Sequence, residues 1–201
     1  MSMLFSGCMA VTPESIAGEK ERGTIATLLV TPIKRYELAV GKIVSITVIA
    51  LASSLSSFIG TIASLPKMMA GESLNASLKY SVGSYFQILL VILSLVIVIV
   101  SVLGCISAFS KSIKEAGSYS TPLMIVAILV GITSMFSSGS SPWYFYLIPL
   151  YNGVRCLTDI LTFSPNIIGL IIAVLSNFAY AVAFGFLLVK MFNSEKVMFQ
   201  R

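Results

Sequence analysis

The chain contains no histidine. That excludes His-based zinc sites, Ser-His-Asp triads and Cys-His nucleophile pairs together. Cysteine is sparse: Cys8, Cys105 and Cys156 are scattered, with no C-x-x-C pair, and read as space-filling apolar side chains rather than a metal or redox motif. Charge is also scarce, at 10% of residues against about 25% in a typical soluble domain. Hydrophobic residues make up 57%, and the mean hydropathy is +0.97. There is too little polar side chain to coat a soluble globule of 201 residues, so the composition is that of an integral membrane protein. The net charge of +5 on so apolar a chain points to membrane topology before nucleic acid, and no nucleic-acid partner is expected.

A phosphate-binding loop is missing as well. The G-x-x-x-x-G-K-[ST] pattern would need glycine where Tyr36 stands before Gly41-Lys42, and Ile43 follows the lysine instead of Ser or Thr. The chain is therefore not expected to hydrolyse ATP or to act as an enzyme. Residues 43–66, 80–110, 116–154 and 160–189 carry no charged side chain. An intramembrane protease or a secondary transporter would be expected to show ionisable groups within such cores.

What is present is four long apolar runs. A crossing helix needs roughly 20 apolar residues, so each run holds one crossing. The predicted crossings are 43–65, ended by Pro66; 85–109; a third from Thr121-Pro122 to about Ser137; and 166–190, after Pro165. The third run is too long for one crossing. Trp143, Tyr144, Tyr146 and Tyr151 suit a headgroup interface, and Pro149 and Gly153 argue against a full span. Residues 143–157 read as a short interfacial or partly re-entrant segment packed on the bundle. Four crossings put both termini on one side. That side holds Lys20, Arg22, Lys34, Arg35, Lys42, Lys111, Lys114, Lys190, Lys196 and Arg201, and the other holds Lys67, Lys79 and Arg155. The bias makes both ends cytoplasmic. Asn75-Ala76-Ser77, a weak glycosylation sequon, would face outward.

The fold class is thus an all-α polytopic membrane bundle of about four crossings, with a cytoplasmic N-terminal element and the interfacial segment before the last helix. Residues 1–12 are an interfacial start or the end of a truncated membrane helix. Residues 13–42 are the cytoplasmic element, 43–192 the transmembrane domain, and 193–201 a cytoplasmic tail. Within 13–42, Thr12-Pro13-Glu14 signals a helix start, Gly23 ends a first piece, and Thr31-Pro32 caps a second that bends into the crossing. Glu19, Lys20, Glu21 and Arg22 alternate in sign among apolar residues. They suit either a solvated flank or docking to a soluble protein partner. In the crossings, the Ser/Thr residues of 45–61 fit helix packing or substrate contact. Asn177 is either an interhelical bond or a pathway contact, since its amide is costly to leave bare in lipid. Arg155 and Asp159 fit an i,i+4 pair.

Ala17-Gly18-Glu19-Lys20-Glu21-Arg22-Gly23-Thr24, Thr27-Leu28-Leu29-Val30-Thr31-Pro32-Ile33-Lys34-Arg35, Glu37-Leu38 and Gly41-Lys42 resemble the permease signature of ABC-2 type transporters. The nearest branch is that of sodium-efflux and multidrug-export permeases. Two weaker matches follow, Lys114-Glu115-Ala116 and Ile148-Pro149-Leu150-Tyr151-Asn152. The resemblance implies a permease subunit that moves substrate out of the cytoplasm, in the cell membrane of a bacterium. Glu19, Lys20, Glu21, Arg22 and Thr24 would couple it to a separate ABC ATP-binding subunit. ATP and Mg would sit on that subunit, with no cofactor in this chain. A second permease half, identical or not, would complete the route through the lipid. Tyr151 and Asn152, with Asn177, become candidates for the pathway or for packing. The family's permeases have six crossings, and these four correspond to the last four. The alternative is a truncated permease acting as a non-transporting membrane assembly or sensory subunit.

Overall fold

The structure, a computed structural model, describes residues 2–24, 35–69, 82–136, 143–162, 164 and 166–194. Among these residues every regular element is helical: α1 (Ser2–Glu21), α2 (Arg35–Met69), α3 (Val82–Phe109), α4 (Ile113–Phe136), a 3-10 turn at Trp143–Leu147, α5 (Tyr151–Leu161) and α6 (Ile167–Asn193). Four of them, α2, α3, α4 and α6, are long and apolar enough to cross a membrane. The chain is an all-α, multi-pass membrane bundle.

The centre of the bundle is α3. Its apolar window is 61% buried, against 18%, 17% and 22% for those of α2, α4 and α6, so the others surround it. Val91, Leu95, Val96 and Leu103 are among its buried side chains, and its broadest contact is with α6. The outer faces stay apolar: Val48 and Ile59 on α2, Leu129 and Ile132 on α4, Leu175 and Phe186 on α6 are all exposed. In water such faces would be an aggregation hazard; in lipid they match their solvent.

Several sequence-based boundaries are corrected. Helix α1 does not begin at Thr12-Pro13 but runs unbroken from Ser2 to Glu21, with Pro13 inside it. A proline within a helix costs about 3 kcal/mol through its missing N–H and its ring. Against that cost, Leu4, Cys8, Thr12 and Ile16 recur every fourth residue as one buried stripe, and α1 lies along α2, α3 and α4. Helix α2 joins the end of the second piece, with Tyr36 and Leu38, to the crossing without the expected bend, and continues to Met69, beyond Pro66. A proline deletes one N–H without being obliged to end a membrane helix.

Helix α4 starts nine residues before Pro122, which lies inside it. The true start is a cap. Ser112 Oγ accepts from Glu115 N at 3.2 Å, and the Glu115 carboxylate accepts from Lys111 N at 2.6 Å. This is nearly a capping box, with the return bond displaced by one residue. Helix α6 begins as expected, with Asn166 Oδ1 accepting from Gly169 N at 3.0 Å. The aromatic segment is a 3-10 turn followed by α5, whose 11 residues are too few to cross. The Thr31-Pro32 cap expected for the second piece, the Asn75 sequon and the tail beyond 194 lie outside the described residues.

Candidate functional site

Two polar regions stand out on this apolar frame. The first is the C-terminal end of α1. Successive side chains there reach three different helices. Glu19 pairs with Lys42 on α2, and the same lysine donates to Ser15 O at 3.2 Å. Lys20 Nζ donates to Ala108 O, in the last turn of α3, and lies 3.4 Å from Ser110 O just beyond it. Glu21 Oε2 accepts from Ile113 N, the first residue of α4, at 3.0 Å. The signs match the helix ends. A cation meets the free carbonyls that end α3, and a carboxylate meets a free N–H that begins α4.

Close packing holds this arrangement. Ala17 and Ala116 are fully buried, and a methyl added at Gly18 would stand 3.2 Å from the Ile113 side chain. Burial lowers the Lys20 pKa to about 8, and the nearby Glu115 carboxylate opposes the shift. At neutral pH Lys20 remains a cation.

Arg22 and Thr24 differ from the three residues before them. Arg22 Nη2 lies 3.4 Å from Glu14 Oε1, and both side chains are about two-thirds exposed, at 65% and 64%. Such a pair contributes little to stability and leaves both charges available to a partner. Thr24 Oγ1 donates to Glu19 O at 3.2 Å and closes the helix end next to Gly23, whose φ of +73° suits only glycine well.

The second region is buried where α5 meets α3 and α6. Asn152 and Asn177, nominated separately from the sequence, are in contact. Asn152 Nδ2 donates to Asn177 Oδ1 at 2.8 Å and to Ser176 Oγ at 3.1 Å. Asn177 Nδ2 donates in turn to Ser94 Oγ on α3 at 3.1 Å. Ser176 Oγ donates to Tyr146 O at 3.2 Å, tying the 3-10 turn into the same network. Asn152 Oδ1 is buried and has no hydrogen-bond partner.

Beside this network, Tyr146 Oη donates to Asp159 Oδ2 at 2.6 Å, and Arg155 Nε lies 3.3 Å from Asp159 Oδ1. The i,i+4 pair read from the sequence therefore forms, but it is buried, and Tyr146 joins it. Burial and the hydrogen bond to Asp159 push the Tyr146 phenol up to about 12, so it stays a neutral donor. Glycines allow the close approach. A methyl on Gly153 would lie 2.1 Å from Leu95 Cδ1, and one on Gly169 would lie 2.7 Å from the Tyr146 ring. Leu150, at the entry to α5, has a φ of 70°, a strained value outside glycine.

Tyr151 does not join the network. It is half-buried, with its ring 5.2 Å from that of Phe145. The sequence reading missed Ser94, Ser176 and Tyr146 as network members, and no local pattern marks them. The Ser112-x-x-Glu115 spacing, by contrast, was a legible helix-start signal. No His/Cys/Asp/Glu cluster suited to a metal occurs among the described residues.

Helix α3 connects the two regions. Its end is held by Lys20, and Ser94 lies about 20 Å back along its axis at 1.5 Å per residue. One helix thus leads from the charged cluster at the end of α1 to the buried polar junction.

A family model described as "ABC-2 family transporter protein" matches residues 5–189. The chain is 28% identical over 199 residues to the ABC transporter permease protein NatB of Bacillus subtilis (strain 168). The alignment covers 94% of this chain and 50% of that relative, so the chain spans about half the length of the curated relative it matches. No solved structure shows significant similarity.

Proposed function

The chain belongs to the ABC-2 transporter family, and on that premise we propose that it is the membrane-embedded subunit of an ATP-driven exporter. It would couple through the end of α1 to a separate ATP-binding subunit. ATP and Mg belong to that partner. A second permease half, identical or not, completes the transport route. The excess of Lys and Arg on the side that holds the C-terminal end of α1 makes that side cytoplasmic.

The observation that carries this reading is the convergence at residues 19–21. A single helical turn engages α2, the end of α3 and the start of α4. Exposed charges of both signs, Glu14 and Arg22, lie beside it. A nucleotide-dependent movement of the partner against this end would reach three crossings together. Small differences in docking energy suffice, because about 1.4 kcal/mol shifts a two-state equilibrium tenfold.

The test is co-purification in detergent of this chain with an ATP-binding subunit encoded beside it, measuring ATP hydrolysis with and without the chain. Binding and a changed hydrolysis rate are expected, both lost when Glu14 and Arg22 are reversed together in charge. A folded, membrane-inserted chain that neither binds nor alters hydrolysis would overturn the reading.

A further inference from the structure

We propose that Glu19, Lys20 and Glu21 form an internal latch that transmits movement, while docking falls to the exposed Glu14–Arg22 face. The proposal rests on the permease reading and divides the labour within its coupling element. Its basis is where the three side chains are engaged. Glu19 and Lys42 are largely withdrawn from water, at 27% and 19% side-chain exposure, and are directed at each other. Lys20 points inward onto the carbonyls of Ala108 and Ser110. Glu21 is exposed, yet its carboxylate is engaged by the Ile113 N–H. Each side chain therefore already holds a helix of its own chain. A partner that bound them directly would have to break these contacts first.

The latch is built to carry displacement. Lys20 and Glu21 bracket the tight connection between α3 and α4, one on each helix end. The Glu19–Lys42 pair ties the same turn of α1 to α2. Displacing α1 along its axis would act on all three helices together, and α3 leads on to Ser94 and the buried asparagine pair. Among the described residues, Arg22 and Glu14 hold no helix end and pair with each other across 3.4 Å. They suit a partner surface that also carries both signs of charge.

The experiment compares Glu19→Lys, Lys42→Glu, the combined exchange of both, Lys20→Met, Lys20→Arg and Arg22→Glu in the full chain with its ATP-binding subunit. Retention of the subunit and chain-dependent ATP hydrolysis are measured on the same preparations. The latch predicts that Glu19→Lys retains the subunit but loses about tenfold of the chain-dependent hydrolysis, a usual size for coupling between sites. The Glu19→Lys/Lys42→Glu exchange should restore most of that loss. Lys20→Arg should keep coupling where Lys20→Met does not, and Arg22→Glu should cut retention itself.

Loss of retention in Glu19→Lys that the exchange fails to restore would make Glu19 a docking residue and overturn the proposal. A second measurement needs no partner, so it separates failure of the latch from failure of the permease reading. In detergent, thermal unfolding of the chain with Glu19→Gln, Lys42→Met and both should give midpoint shifts that are not additive. Additive shifts would overturn the latch even if the subunit binds.

Discussion

Asn152 on α5 donates to Asn177 on α6 at 2.8 Å, and neither residue reaches the surface. The Asn177 amide continues the chain of bonds to Ser94 on α3. An 11-residue helix that cannot cross the membrane is thereby fastened to two helices that can.

The first prediction concerns that bond. Asn152→Leu and Asn177→Leu each leave a buried amide group without its partner, at a cost of about 1–3 kcal/mol. Replacing both should cost less than the two single losses together. Unfolding of the four species in detergent gives the coupling directly. Simple additivity would show that the two amides do not depend on each other.

The second concerns the approach of α5 to α3. A methyl on Gly153 would overlap Leu95. Gly153→Ala should destabilise the fold by about 1–3 kcal/mol, the usual range for overpacking. In a Leu95→Ala background the same substitution should cost clearly less. An equal cost in both backgrounds would contradict the contact.

A third tests the start of α4. Ser112→Ala removes the cap on Glu115 N and should cost about 1 kcal/mol, whereas Ser112→Asp should be nearly neutral. Thermal midpoints of the two variants decide this. If the helix began at Pro122 instead, neither change would matter.

The fourth follows from Lys20. Burial lowers its pKa from the ordinary 10.5 to about 8. Between these values the unfolded chain holds a proton that the folded chain has released. Stability should therefore rise with pH across that window, and the Lys20 contribution should be flat below it. Lys20→Met should lack this component of the rise. A thermal midpoint that varies with pH identically in both proteins would show that Lys20 is not buried as described.

Much of the architecture was legible from residue order. The uncharged runs located the four candidate crossings among the described residues, because the cost of placing charge in hydrocarbon leaves few alternatives. The Pro165-Asn166 start of α6 and the Arg155–Asp159 pair were readable for the same reason, since caps and i,i+4 neighbours are local. Helix breaks were read less well. Pro13 and Pro122 suggested helix starts and Pro66 a helix end, yet the helices run through them. Local propensity is a weak guide where a buried stripe such as Leu4, Cys8, Thr12 and Ile16 continues on both sides of the proline.

The site divides along the same line. The alternating charges of 19–22 marked the polar cluster at the end of α1, and their pattern also resembled a known family. Their directions in space were not contained in that pattern. Whether Lys20 faces a partner or the end of α3 depends on residues 88 and 90 positions away, Ala108 and Ser110. Likewise Asn152 and Asn177 were each conspicuous alone, but only folding brings them within a hydrogen bond. By itself the sequence determined the membrane class, the number of crossings and the element that carries charge, because transfer energies act residue by residue along the chain. Tertiary structure decided which charges turn inward and which polar groups meet, because those depend on helix packing between distant segments.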